Sequence, residues 1–341
     1  MASSFTAPKN LPELVRSAFV RARTTGDLIF FPTQVALLRI NGIPFQLRFA
    51  PSLGKKPKGP KQEAKEKGGQ DKKTFNPFED PVPGLLVVPQ LGPSHRLVLN
   101  KFAISKDHAI LATTVFRPQH HLLDPADLAA AYACIEAYQS SDEELYVFFN
   151  SGGNSGASQP HRHLQLLPVA QMREGLEGGD APEWGILVDK AAGDGKTQQL
   201  PFYVATARLT GPQSAEQLHT TYLGLYRKAC AAAKSTSAYV ADGEVSQADE
   251  EGGRVPARIS YNLALTKTTM AILPRTSEGS IVSTGGGTPD GFVSLNGTVL
   301  AGTALVKNEA EWDALRHDSA HLLRVLEKIG VSTRGSPPAS L

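Results

Sequence analysis

The sequence predicts an α+β fold, a mostly antiparallel sheet with flanking helices, extended by further strands and helices toward the C-terminus. Three observations carry that expectation. Helical spacing or helix-end signals occur at 11–23, 125–139, 213–234 and about 308–329. The apolar runs between them are short and punctuated by Gly, Pro and Asp, as strands are. The two kinds of segment are interspersed without a regular βαβ repeat, which sets a doubly wound parallel sheet aside. At 341 residues the chain can bury a sizeable core, and one unit over 1–341 is expected.

Taken in order, "LPELVRSAFVRAR" (11–23) puts Leu11, Leu14, Val15, Ala18 and Phe19 at helical spacing. A strand-and-turn region follows to about residue 50. Residues 54–73, "GKKPKGPKQEAKEKGGQDKK", hold eight lysines against three acidic residues and almost nothing apolar. Such a composition cannot bury a core, so a mobile surface loop is expected, its first lysines within reach of a polyanion. "PGLLVVPQL" and "SHRLVLNKFAISKDHAILATT" read as successive strands. "PADLAAAYACIEAYQ" (125–139) reads as a helix, with Asp124 as cap, Pro125 at the first position and Asp127 at the positive end. "ELYVFFNSG" is a buried strand running into a glycine loop, and "HLQLLPV" is its antiparallel neighbour. "PFYVATARL" is a strand, 213–234 a helix, and "ISYNLALT" and "TMAILPR" are paired strands around a tight turn. "ADGEVSQADEEGGRVPAR" and "SEGSIVSTGGGTPDG" read as exposed loops. A last helix stops at Gly330, expected as its C-cap, and 331–341 as a disordered tail.

Apolar (41%) and charged (20%) contents are those of a soluble globular protein, and the formal charge is only +2. The two cysteines, Cys134 and Cys230, sit in expected helices without metal-ligand spacing, which fits a reducing compartment. No leader-like apolar stretch and no membrane span is present, so a cytoplasmic location is expected, with a nuclear one open. The lysine cluster has no interleaved aromatic residues to stack bases, which argues against nucleic acid.

The chemistry concentrates in 150–169, "NSGGNSGASQPHRHLQLLPV". On a strand, His161, His163 and Gln165 share one face, while Arg162, Leu164 and Leu166 share the other. Gly152, Gly153 and Gly156 permit tight turns whose backbone N–H groups can form an anion nest. The loop is not a P-loop, since no Gly-Lys-Ser/Thr follows and it enters a strand. Zinc on the histidine pair would need further ligands, and none is obviously placed. On spacing alone a covalent or acid–base histidine, a metal ligand and structural histidines all stay open. His120 and His121 sit in a surface turn and are taken as structural.

"HRHLQ" after "SGASQ" resembles the histidine-triad superfamily, and its glutamine resembles the transferase branch. "NPFEDPVPGLLVV", "SHRLVLNKFAISKDHAILAT" and "NSGGNSGASQPHRHLQLLP", continued by "SYNLALT", "MAILPR" and "LNGTVLAGTALVK", are similar to the fungal-type diadenosine tetraphosphate phosphorylase (ATP adenylyltransferase) family. The similarity covers most of residues 10–330. It implies a histidine-triad-like sheet and a reversible reaction, in which a dinucleoside tetraphosphate and phosphate give ADP and ATP. It also implies that His163 attacks the α-phosphorus and carries the nucleotide. That needs a neutral imidazole whose other nitrogen is held by an acceptor, for which a glycine-loop carbonyl is expected. Gln165 then donates to a non-bridging oxygen, being unable to act as a general acid. His161 is expected to organise the strand or hydrogen-bond the loop, and it is also counted among the substrate-binding positions.

The resemblance further implies that Gly156, Ala157, Ser158 and Gln159 bind phosphate and that Asn150 binds nucleotide. Asn100, Lys101 and Lys55 are also implied at the substrate, and Asn262, Met270, Gly302 and Lys307 at the second nucleotide. Magnesium is expected with the polyphosphate, and a monomer is preferred. A hexose-1-phosphate uridylyltransferase also carries His-x-His-x-Gln, but with proline where Arg162 stands and with a structural zinc whose ligands are not found. A binder that holds dinucleotides without turnover is the third reading.

Overall fold

The computed structural model describes residues 5–54, 76–176, 183–193, 199–234, 236, 255–283 and 291–333. The lysine-rich segment beyond Gly54, residues 241–254 and the tail beyond 333 lie outside the described residues. Helix α1 (Leu11–Thr25) buries Leu11, Val15, Ala18, Phe19 and Ala22 and stops at Gly26, whose φ of 83° is left-handed. After it come β1 (Ile29–Phe30), β2 (Gln34–Ile40), β3 (Ile43–Phe49) and the single turn α2 (Pro51–Gly54). Strands β4 (Leu86–Leu91), β5 (His95–Leu99), β6 (Phe102–Ala103) and β7 (Ala109–Thr113) lead to α3 (Pro125–Gln139), β8 (Leu145–Ser151) and β9 (His163–Pro168). Next are α4 (Val169–Arg173), α5 (Leu187–Gly193), β10 (Ala205–Arg208), α6 (Ala215–Ala233) and the hairpin β11 (Ser260–Leu265) and β12 (Thr269–Arg275). The chain closes with β13 (Gly279–Val282), β14 (Gly291–Ser294), β15 (Thr303–Val306), α7 (Glu309–His317) and α8 (Ala320–Ile329).

Eight strands form one sheet in the order β10-β12-β11-β8-β9-β7-β5-β4, and every neighbouring pair is antiparallel. The α+β class and the antiparallel sheet expected from the sequence are therefore present. Strands β8 and β11 meet in the middle, so the two halves of the chain share the sheet. The period of two in β9 separates two cores. Leu164 and Leu166 pack with α1, α3 and α6 on one face. Leu167, Tyr146 and Phe148 pack on the other against β2, β3, β15, α7 and α8. His163 and Gln165 stand on this second face, beside a small apolar cluster of Phe78, Val98, Ile110 and Ala112.

Three expectations change. The last helix is two, because Asp318 is extended (φ −140°, ψ 106°) and its carboxylate accepts the N–H of Ala320 to start α8. Gly330 ends α8 in extended conformation, not the left-handed one expected of it. Its bare Cα is needed for packing, since a Cβ there would lie 2.8 Å from the Phe202 side chain. The stretch 277–291 is not all loop: β13 pairs with β14, and at Gly279 a Cβ would lie 2.0 Å from the Val293 carbonyl. The cap expected at α3 is present, with the Asp127 carboxylate accepting the Asp124 N–H at 2.9 Å.

Candidate active site

The ladder between β8 and β9 stops at Phe148–Gln165, so the chain around His163 needs another way to satisfy its backbone. Gln119 provides it. Its side-chain oxygen accepts the His163 N–H at 2.7 Å, and its amide donates to the carbonyls of His163 (3.1 Å) and Asn150 (2.9 Å). From the opposite face Arg162 anchors the same strand. Its fully buried guanidinium donates to Asp124 at 3.0 Å and to Asp127 at 2.8 Å. His95 Nε2 also donates to Asp127, at 2.8 Å. Burial and the neighbouring Asp127 carboxylate push Asp124 up to about 6. For Asp127, burial is outweighed by the hydrogen bond from His95 and the charge of Arg162, which together hold it well below the usual carboxylate range. A buried ion pair thus fixes the residue between the two histidines to the N-terminus of α3.

The two histidines have different surroundings. Both nitrogens of His161 are bonded within the protein: its Nδ1 accepts from Asn76 at 2.8 Å and its Nε2 donates to the Thr113 carbonyl at 2.8 Å. His163 has one nitrogen engaged. Its Nδ1 donates to the His161 carbonyl at 2.7 Å, which places the Nε2 lone pair opposite, toward the cleft. The acceptor is on the strand itself, not in the glycine loop where it was expected. Burial pulls the His163 pKa down to about 4, so the imidazole is neutral at pH 7. The Phe78 ring lies over it, centroids 4.9 Å apart and tilted 34°.

His163 and Gln165 open into a cleft of about 410 Å³. Its lining includes the apolar Phe78, Val82, Leu85, Val98, Phe102 and Ile110 and the polar Asn100, Lys101, Ser158 and Gln159. Lys101 is exposed, its ammonium 5.9 Å from the centre of the Phe102 ring. Asn100 faces inward: its oxygen accepts the Phe102 N–H at 3.0 Å and its amide donates to His108 Nδ1 at 3.1 Å. His108 Nε2 in turn donates to the Gln165 oxygen at 3.0 Å.

In the glycine loop, Gly156 has φ 77°, and a Cβ there would lie 2.9 Å from the Leu295 carbonyl, so only glycine fits. The N–H groups of Asn154 and Ser155 are bonded within the loop region, to Ser260 Oγ and the Gly152 carbonyl. Elsewhere in the loop Gly153, Ala157, Ser158 and Gln159 are exposed.

Not every residue expected at the substrate is at the cleft. Asn150 and Asn262 are buried beneath the loop. Asn262 donates to Asn150 Oδ1 and to the Ser155 carbonyl, both at 2.9 Å, and Asn150 Oδ1 also accepts the Gly297 N–H at 2.9 Å. They hold the loop's shape from beneath. Met270 is in the core on the far side of the sheet. Gly302, at φ 75°, ends the turn Gly297–Ala301, and its carbonyl accepts from Trp184 at 3.1 Å. Lys307 is exposed beyond β15, beside Gly54, and Lys55 lies outside the described residues. His120 and His121 stack edge to face outside the cleft. Sequence reasoning assigned no role to Asn76, Phe78, His108 or Gln119. Asn76 and Phe78 lie in the quoted "NPFEDP" and His108 in the quoted "SKDHAILAT", whereas Gln119 lies in none of the quoted stretches.

Residues 1–178 match the Ap4A phosphorylase N-terminal domain, and residues 198–332 the ATP adenylyltransferase C-terminal domain. Two Saccharomyces cerevisiae proteins are similar over nearly the whole length. They are diadenosine 5',5'''-P1,P4-tetraphosphate phosphorylase 2, at 27% identity, and Protein APA1, at 25%, with 97% of this chain and 98% of each relative covered. Two solved structures share the fold. Yeast Ap4A phosphorylase Apa2 in complex with AMP has a TM-score of 0.73 at 24% identity, covering 97% of this chain and 99% of that one. Its complex with Ap4A has a TM-score of 0.72 at 22% identity, covering 95% and 98%. The chain belongs to the Ap4A phosphorylase family.

Proposed function

We propose that this chain catalyses the reversible phosphorolysis of diadenosine tetraphosphate, giving ADP and ATP, through a nucleotide carried on His163. The observation that carries the reading is the neutral imidazole with Nδ1 held by the His161 carbonyl and Nε2 left facing a cleft beside Gln165. Nε2 attacks the α-phosphorus of one adenylyl end; the P–N bond forms as the P–O bond to the remaining chain breaks, and ATP leaves. A phosphate oxygen then attacks the same phosphorus, the P–N bond breaks, and ADP leaves. A triphosphate needs no proton to depart at pH 7, so the glutamine amide, which cannot supply one, is sufficient at position 165. Its part is to donate to the non-bridging oxygen whose charge grows during each displacement. Lys101 offers a point charge to the polyphosphate, and the exposed segment Ala157–Gln159 offers backbone and hydroxyl donors.

Magnesium enters with the polyphosphate as part of the substrate; among the described residues no group of three or more His, Cys, Asp or Glu side chains could hold an ion. Among the described residues no helix is long and apolar enough to cross a membrane, which is compatible with action in the cytoplasm or the nucleus.

The test is incubation of the purified chain with diadenosine tetraphosphate and magnesium, with and without phosphate, and separation of the products by ion exchange. ADP and ATP formed only with phosphate is the expected result. AMP and ATP without phosphate would make it a hydrolase, contrary to the part given to Gln165. No turnover at all would return the uridylyltransferase and the silent binder.

A further inference from the structure

The side-chain amide of Gln165 can present either its oxygen or its NH2 group to the cleft, and the two ends have nearly the same shape. Packing therefore cannot choose between them; only hydrogen bonds can. The choice matters, since a phosphoryl oxygen would be repelled by the amide oxygen and bound by the NH2. On the proposed phosphoryl-transfer reading, something has to hold the amide in one orientation.

We infer that His108, a residue that does not line the cleft, is the positioning residue that turns the Gln165 NH2 group toward the reacting phosphorus. The argument starts from a group whose polarity is certain. The backbone N–H of Phe102 can only donate, and it donates to the side-chain oxygen of Asn100 at 3.0 Å. The NH2 of Asn100 therefore faces His108 and donates to Nδ1 at 3.1 Å. With Nδ1 an acceptor, a neutral His108 carries its proton on Nε2, which donates to the Gln165 oxygen at 3.0 Å. Once that oxygen is held, the NH2 group is the end of the amide left for the cleft, and it has no partner among the described residues.

Every link has one direction, and each sits on rigid backbone. Asn100 follows β5, His108 enters β7, and Gln165 is registered opposite Ile110 across β7 and β9. The left-handed Asp107, at φ 58°, precedes His108 at this entry to β7. The relay also requires His108 to stay neutral, because an imidazolium would set its Nδ1–H, a donor, against the Asn100 NH2. Burial pulls its pKa down to about 4, which keeps it neutral throughout the physiological range.

Two measurements test this, one without turnover. In the free wild-type protein, a long-range 1H–15N NMR experiment on labelled histidine reads the tautomer of His108. The proton is expected on Nε2, and a proton on Nδ1 would overturn the relay. The second is a mutant cycle on the burst of nucleotidyl-enzyme in rapid quench. H108F, checked for an unchanged circular dichroism spectrum, is expected to lower the burst rate by about 10- to 100-fold with KM within about twofold. In the Gln165→Ala background the same change should cost less than about twofold, because His108 acts only through Gln165. H108Q, which retains an N–H donor, should recover part of the rate. Losses that multiply in the double variant, or a full burst rate in H108F, would overturn the inference. A wild-type chain that forms no ATP from diadenosine tetraphosphate would count against the proposed function alone, since the tautomer is read independently of it.

Discussion

Replacing His163 by Asn should make the fold less sensitive to acid as well as stop turnover, and the size of the effect follows from the site. Burial holds the His163 imidazole at a pKa of about 4 in the folded chain, against 6.5 for a free histidine. Below pH 6.5 the unfolded chain binds a proton at this residue and the folded chain does not. The folded value is the depressed one, so the stability is fully present above pH 6.5, falls as the pH falls, and levels off below about 4. At pH 5 the unfolded state is favoured by close to 1.5 pH units of proton binding, about 2 kcal/mol, and the full shift is worth about 3.4 kcal/mol. With an unfolding entropy of about 0.7 kcal/mol/K for a chain this long, the pH 5 term is a change in Tm of about 3 °C. The assay is scanning calorimetry of wild type and H163N at pH 8 and pH 5 without nucleotide. His108, His161 and Asp124 are present in both proteins, so the difference between the two pH-induced drops isolates position 163 to first order. The variant is expected to lose about 3 °C less than wild type on acidification. Equal drops would mean that the imidazole is not held neutral by burial, and unchanged turnover would remove it as the nucleophile.

Arg162→Met should destabilise the fold by about 3–5 kcal/mol at pH 8, because it leaves the fully buried Asp127 without its guanidinium and Asp124 with Arg117 alone. The loss should shrink toward pH 5 as the stranded carboxylates bind a proton, and urea melts at the two pH values measure it. A loss that is independent of pH would contradict the ion-pair account. Gln165→Ala should lower kcat by about 10²- to 10³-fold with little change in KM, as expected for a donor used in the transition state; steady-state rates showing only a raised KM would assign it to ground-state binding. Lys101→Ala should raise KM for the tetraphosphate by about tenfold at low ionic strength and by less in about 0.5 M salt, because the ammonium is exposed. A salt-independent effect would argue that Lys101 does something other than supply charge.

Local sequence determined a good deal of this protein. Alternation along "HRHLQLLP" put His163 and Gln165 on one face and Leu164 and Leu166 on the other, and both faces are occupied accordingly. Caps read from Asp124, Pro125 and Asp127 begin α3 where expected, because capping involves residues within one turn of each other. The functional value of "HRHLQ" came from its resemblance to a family; spacing alone left metal, covalent and structural histidines open.

What only the tertiary structure decided lies across strands. Gln119 closes the ladder at His163 from 44 positions away, and His108 reaches Gln165 across 57. Such partners are set by sheet register, which no local window contains. For the same reason the burial of Asn150, Asn262 and Met270, and the hydrogen bond from Asn262 to Asn150, are visible only in the fold. The chain's short-range pattern dictates which way each side chain faces. Which groups meet there, in what tautomer and at what pKa, depends on what the sheet brings from elsewhere and how completely it excludes water.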